Sequence, residues 1–377
     1  MKNHYRQNPN STRMNTSTPI LTRTECAALR GLAIIGIFLH NYCHWLGAAV
    51  KENEYTFTLA KSQGMLHAVL LPDNNLPIHL LSFFGHYGVP VFLFLSAYGL
   101  TLKYEQPVTI GRQPSVADAP GVWPFIRKHF AKLFSMMIAG YVIFTLVDAM
   151  QPGRHVYHTV DVIGQLLMLN NLLPDPDRVI WPGPYWFFGL MLQLYAVYRL
   201  ALYRRSWKVV VVLIVLCWAA QAFCAPEGDA LNRVRYNFMG GMLPFGAGIL
   251  FARYGRPLSQ QQWALTAFVS AVVVFACSFH FQAWLWAPLF VCTGAVGLVK
   301  ALPRTLNGWL AWVGGISAAL FVIHPVTRRV FFTYYHGWDN AYTGLALYVT
   351  TSIALAWFYH EMRARWHRYD TSAKQKQ

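Results

Sequence analysis

Runs of about 18 to 24 apolar residues recur along the chain, and a helix of that length crosses a ~30 Å hydrocarbon layer at ~1.5 Å per residue. The runs predict ten transmembrane helices, at roughly 28–49, 79–102, 130–149, 184–203, 207–224, 236–254, 263–281, 283–301, 309–331 and 341–360. Each must be helical, because an open strand in lipid leaves backbone N–H and C=O groups unpaired. Residues 1–24 are polar, with Pro9, Pro19 and several Ser, Thr and Asn, and contain no apolar stretch of the kind a cleavable signal needs. They are expected to form a cytoplasmic tail, followed by one transmembrane domain over 25–362 and a basic cytoplasmic tail over 363–377. No internal repeat and no long linker divides the chain. The expected fold is an all-α, polytopic helix bundle.

Composition agrees with lipid as the solvent. Only 12% of the residues are charged and 55% are hydrophobic, against roughly 25% charged in soluble domains. The charge distribution adds orientation. Of the 31 Lys and Arg, 23 fall on the side of the two termini, and only Lys51, Lys61, Arg154, Arg178, Arg233, Arg235, Arg328 and Arg329 fall on the other. Ten of the 15 acids lie on that Lys/Arg-poor side. Positive residues collect on the cytoplasmic face, so the asymmetry predicts an even number of spans with both ends in the cytoplasm. The net charge of +16 is then topology and anionic-lipid contact, and no nucleic-acid-binding motif accompanies it. The six cysteines form no CxxC pair and no Cys/His zinc spacing, so no metal and no bound cofactor is assigned.

Ionisable residues inside spans are costly and therefore candidates for function. The first span reads RGLAIIGIFLHNYCHWLG: Arg30 stands at its cytoplasmic mouth, and His40 lies about 15 Å further on, near the expected midplane. His44 follows one turn later on the same face. A histidine near neutral pH accepts and returns a proton, as acid–base chemistry requires. The second span, GHYGVPVFLFLSAYGL, presents Gly85, Gly88, Gly99, Ser96 and Ala97 as a small-residue face, with His86 at its outer end. Arg127, Lys128 and Lys132 enter the third span and suit either a soluble anionic donor or lipid headgroups. Tyr185 and Trp186 open the fourth at the outer interface, where an aromatic belt is the alternative. His324 precedes Pro325 in the ninth, and the proline is expected to break that helix and free a carbonyl beside the imidazole.

In this order the pieces resemble the acyltransferase 3 family of bacterial inner-membrane proteins. The matching residues are Arg30 and His40, Gly88 to Ala97 with Ser96, Arg127 with Lys128, Tyr185–Trp186, and Ser317 through His324. The likeness spans nearly the whole chain. It departs from the family in having nine residues between Arg30 and His40, where ten are usual, and in carrying Ala97 for a glycine and Gln193 for an acid of the fourth helix. Phe134–Ser135 stands where a proline is expected.

The resemblance implies a multi-pass inner-membrane O-acyltransferase. It would move an acyl group, commonly acetyl, from cytoplasmic acyl-CoA (acetyl-CoA) to a hydroxyl of an envelope saccharide or lipid-linked glycan. His40 would be general base or transient acyl carrier, Arg30 would orient the donor, and His324 or Ser96 would assist. Arg127, Lys128 and Lys132 would hold the donor's phosphates, and His86, Tyr185 and Trp186 would face the acceptor. Two other classes fit some of the same residues: a proton-coupled transporter using the histidines as a relay, and a haem or quinone protein with histidine ligands.

Overall fold

The computed structural model describes residues 19–105, 108–110, 113–115 and 120–374, with side chains over 19–105 and 120–365. The described residues form helices α1 (Arg23–Cys43), α2 (Leu59–Leu70), α3 (Leu76–Phe84), α4 (Gly88–Tyr104), α5 (Val122–Ala149), α6 (Thr159–Leu166), α7 (Pro176–Val179), α8 (Trp186–Val197) and α9 (Trp207–Ala222). These are followed by α10 (Asp229–Arg235), α11 (Phe238–Tyr254), α12 (Gln260–Cys277), α13 (Phe281–Trp284), α14 (Ala287–Ala301), α15 (Arg304–Gly315), α16 (Ser317–Tyr335) and α17 (Ala341–Lys374). A three-residue antiparallel pair, Val108–Ile110 with Gln113–Ser115, is the exception to the helical architecture among them.

All ten predicted spans fall on helices. Five continuous segments are long and apolar enough to cross a bilayer: α1, Leu76–Tyr104 (α3 with α4), α5, α12 and Trp338–Arg365. The pair α15–α16 makes a sixth if counted as one bent span. The helices of the fourth, fifth, sixth and eighth predicted spans are shorter. Residues 1–18 of the expected N-terminal tail lie outside the described residues, and α17 carries helix through most of the expected C-terminal tail.

α1 is the centre of the bundle, packed against α3, α4, α15 and α16. Thr22 and Glu25 start it with a reciprocal capping box that satisfies two otherwise free backbone donors. Its first half meets α15 backbone to backbone: a Cβ at Gly31 would stand 1.9 Å from the Leu310 carbonyl oxygen, and one at Gly314 would stand 1.8 Å from that of Ala27. Without a hydrophobic force between helices in lipid, such close approach supplies the dispersion contact that holds them. Gly88 of the expected small-residue face packs on α1 in the same way, at Ala33, whereas Gly99 meets nothing within 4 Å.

Two expectations are corrected. The first span does not run to residue 49. α1 ends at Cys43, with His44 as its cap, because Lys51 turns back to donate to the carbonyls of His44 and Leu46 and so satisfies the helix end. His40 therefore stands one turn from the end of α1, not midway along it. Nor does Pro325 break the ninth span. The 65° bend lies between α15 and α16, at Ile316, and α16 runs unbroken through Pro325.

At the end of the bundle where α1 stops, the connections form a knitted cap. Asn171 donates to the carbonyls of Trp186 and Tyr236, Trp284 Nε1 donates to the Asn53 carbonyl, and the Phe57 N–H donates to Pro226. At the opposite end Glu105 pairs with Arg253 at 2.7 Å, both largely buried, and accepts from the Tyr198 hydroxyl. Removing one partner of a buried pair strands the other charge, so Glu105→Ala is expected to cost roughly 3–5 kcal/mol. A Glu105→Gln/Arg253→Met double variant should lose clearly less; thermal unfolding in detergent measures both.

Candidate active site

A cavity of about 320 Å³ lies beneath this cap. Its floor is the last turn of α1, with His40, Asn41 and His44. His40 is placed by two neighbours. A Cβ at Gly85 would come within 2.6 Å of His40 Cβ, so only glycine lets the second span lie this close. That approach brings the Ser82 carbonyl to 2.8 Å from His40 Nδ1. A carbonyl can only accept, so Nδ1 carries the proton and the lone pair sits on Nε2.

Nε2 faces carboxylates. Glu52 Oε1 is 3.8 Å away and Glu54 Oε2 is 3.9 Å away, and Glu52 also takes a 3.1 Å hydrogen bond from His44 Nδ1. The two acids are driven apart electrically. Burial pushes the Glu52 carboxyl up, but the His44 hydrogen bond and the positive charges that His40, His44 and His86 acquire on protonation hold it well below the usual carboxylate range. Burial and the neighbouring Glu52 charge push Glu54 up to about 8, against the pull of Arg235. One carboxyl is thus an anion and the other a neutral acid at neutral pH, the split that marks acid–base sites. His40, His44 and Glu52 also offer three ligand atoms within 4.8 Å of one another, a transition-metal donor set that the sequence analysis does not foresee. The His44–Glu52 hydrogen bond joins two of these residues, while His44 Nε2 and Glu52 Oε2 are buried without a partner.

The walls are aromatic and acidic. Tyr55 and Tyr236 stack at 4.0 Å with their planes 4° apart, and Trp186 meets both edge-on. Trp181, Asp177 and Arg328 complete the lining. Asp177 accepts from the Tyr236 hydroxyl at 2.6 Å. A smaller cavity of about 40 Å³ adjoins the first at Glu54, Tyr55, His86 and Trp186 and reaches inward to Leu93, Leu190 and Gly241.

The sequence pattern of the acyltransferase domain family matches residues 27–361, a stretch that contains every residue of this cavity. The chain belongs to the acyltransferase 3 family. No curated protein and no solved structure matches it. Family membership makes the chain a membrane acyltransferase.

Of the residues singled out from the sequence, His40, His44, His86 and Trp186 share the cavity. Tyr185 does not line it; its hydroxyl donates to the Val322 carbonyl instead. His324 lies behind the wall, fully buried on α16 between the cavity residues Phe321 and Arg328, with Nδ1 on the Leu320 carbonyl and Nε2 without a partner. Ser96 is bonded by Tyr195, tying α4 to α8. Arg30 is about 15 Å back along α1. Arg127, Lys128 and Lys132 are exposed on the first turns of α5. Gln193, in place of the family's acid, bridges α8 to the start of α11 through Asn237 and the Phe238 N–H.

The sequence analysis misses Glu52, Glu54, Asp177 and Arg328. The signal of the three acids was present as the concentration of acids on the Lys/Arg-poor side, which served only to orient the chain; Arg328 was counted only among the eight Lys and Arg of that side.

Two outcomes test this geometry. Gly85→Ala should cost about a hundredfold in turnover, the scale of a ~1 Å misplacement of a reacting group, with the fold retained; steady-state assay and size-exclusion measure the two. Glu54 holds its proton to about pH 8 when folded but loses it near 4.5 when unfolded, so folding takes up a proton between these values and stability falls as pH rises across them. The melting temperature should therefore decline less from pH 5 to 8 in Glu54→Gln than in the natural protein.

Proposed function

We propose that this protein transfers an acetyl group from cytoplasmic acetyl-CoA to a hydroxyl of an envelope saccharide or lipid-linked glycan. In this reading it is a ten-helix protein of the bacterial inner membrane with both termini in the cytoplasm. The Lys/Arg asymmetry and the helical state of all ten apolar segments support that topology. The coenzyme enters as a substrate, and no bound cofactor takes part.

One observation carries the reading: the Nε2 lone pair of His40, fixed by the Ser82 carbonyl, opens into a cavity lined with carboxylates and aromatic rings. A sugar presents apolar C–H faces to Tyr55, Trp181 and Trp186 and hydroxyls to Glu54 and Asp177. His40 Nε2 takes the proton of one hydroxyl as its oxygen attacks the thioester carbonyl carbon. Glu52 and Glu54 then face the imidazolium that forms, and the Glu52 carboxylate stabilises it. Collapse expels the coenzyme thiolate, which recovers the proton from His40, leaving an ester and a free thiol.

At the other end of α1, Arg30 with Arg127, Lys128 and Lys132 meets the donor's phosphates, Arg by forked donors and Lys as point charges. The roughly 15 Å from Arg30 to His40 is to be spanned by the coenzyme's extended arm. Membership in an acyltransferase family separates this reading from the proton-coupled transporter.

The test uses protein in lipid nanodiscs, labelled acetyl-CoA and extracted envelope glycan, with mass spectrometry of the product. His40→Ala should lower turnover by about 10²–10⁴, the range of general acid–base catalysis. Arg30→Ala should raise the donor KM with less effect on kcat. Full O-acetylation by both variants would end the proposal.

A further inference from the structure

α16 ends its cavity-facing stretch with two adjacent arginines whose surroundings are opposite. Arg329 is satisfied: its Nε lies 2.7 Å from Asp148 Oδ1, and its Nη2 donates to the carbonyls of Pro152 and Gly153. Arg328, one residue earlier, points into the cavity and is 7% exposed. Its Nη1 makes two long contacts of 3.3 Å, to the backbone and side-chain oxygens of Asn41, and its guanidinium lies 5.2 Å from the Trp45 ring centroid. Among the described residues no carboxylate stands within ion-pair distance of Arg328, and its Nε and Nη2 bond none of them.

A buried cation without a counter-ion is expensive. Nature's usual remedy, a paired acid, is present for its neighbour and absent here. Arg235, which lines the smaller adjoining cavity, is not comparable: it donates to the Glu54 carbonyl and to Gln221 and lies over the Trp284 ring. Arg328 is therefore the free cationic donor on the cavity wall, held by Asn41, the residue next to His40.

We propose that Arg328 is a catalytic residue that receives the negative charge formed on the acyl carbonyl oxygen. This rests on the transfer reaction proposed above. When the acceptor oxygen bonds to the thioester carbon and His40 takes its proton, the carbonyl π pair moves to oxygen; Arg328 holds that oxyanion. When the pair returns to reform the carbonyl, the carbon–sulfur bond breaks and the thiolate leaves to take the proton from His40. The base on α1 and the anion-stabilising group on α16 thus flank one carbon from two helices. A donor aimed in advance at charge that exists only in the transition state raises kcat and leaves ground-state binding alone.

The experiment compares the natural protein, Arg328→Gln, Arg328→Lys and Arg328→Ala in nanodiscs, each first checked for a single size-exclusion peak. Kinetics with acetyl-CoA and glycan give kcat and donor KM, and calorimetry with free coenzyme A gives donor affinity. Arg328→Gln should lose about 10²–10³ in kcat, the scale of one oxyanion donor, with donor affinity within about twofold of the natural value. Arg328→Lys should recover part of the loss, and millimolar methylguanidinium should raise the turnover of Arg328→Ala, which a merely structural arginine would not allow. Natural kcat in Arg328→Gln, while His40→Ala is inactive, overturns the assignment and leaves the reaction standing. So does a loss confined to donor affinity, which would make Arg328 a ground-state anion site. Natural protein that transfers no acetyl group overturns the reaction itself.

Discussion

A single hydrogen bond, from His40 Nδ1 to the Ser82 carbonyl, sets the orientation of the imidazole in the cavity. It fixes which ring nitrogen carries a proton and therefore where the basic lone pair points. It forms only because Gly85 lets the second span lie within contact of the α1 backbone. The carbonyl is also one that an unbroken helix would have used: α3 gives way to a 3₁₀ turn at Gly85–Tyr87 before α4 begins, and in that break backbone acceptors become available to side chains. Fold and site meet at this break.

The site is assembled from opposite kinds of material. Its floor is helical, rigid and buried, whereas its acids and most of its aromatic rings come from the cap, where Glu52, Glu54 and Tyr55 follow α1 and Tyr236 follows α10. The cap is held by side-chain amides bonded to backbone carbonyls, Asn171 and Asn237 foremost. Such bonds replace the ladders that loops lack, and they let a connecting segment keep charged groups at fixed distances.

How legible this was depends on the kind of signal. Apolar runs carry their own length, so the helical state of the ten apolar segments was readable, although the end of α1 was not. It depends on Lys51 folding back onto the His44 and Leu46 carbonyls, a tertiary contact without a local pattern. His40 stood out because imidazole inside an apolar run is costly, and His86 and Trp186 followed from their positions at span ends. Glu52, Glu54 and Asp177 were hidden because acids in polar connections are ordinary in sequence. Only the folding of two connections over one helix end brings them into one cavity with His40. Arg328 was hidden for a similar reason: beside Arg329 it reads as half of an interfacial charge pair, and only packing separates their fates. Ser96 and Tyr185 were readable as polar groups in lipid, whereas the bond from the Tyr185 hydroxyl to the Val322 carbonyl has no local pattern in the sequence.

The corner at Ile316 gives the molecule a mechanical property. α15 lies locked against α1 at Gly314, and α16 leaves the corner at 65° to carry Arg328 about 16 Å along its axis. The two arms share one pivot, so the glycine seam that seats α15 on α1 also sets the point from which α16 reaches the cavity. Residues of α15 thus stand at the root of a helix that lines the cavity, although none of them lines it itself.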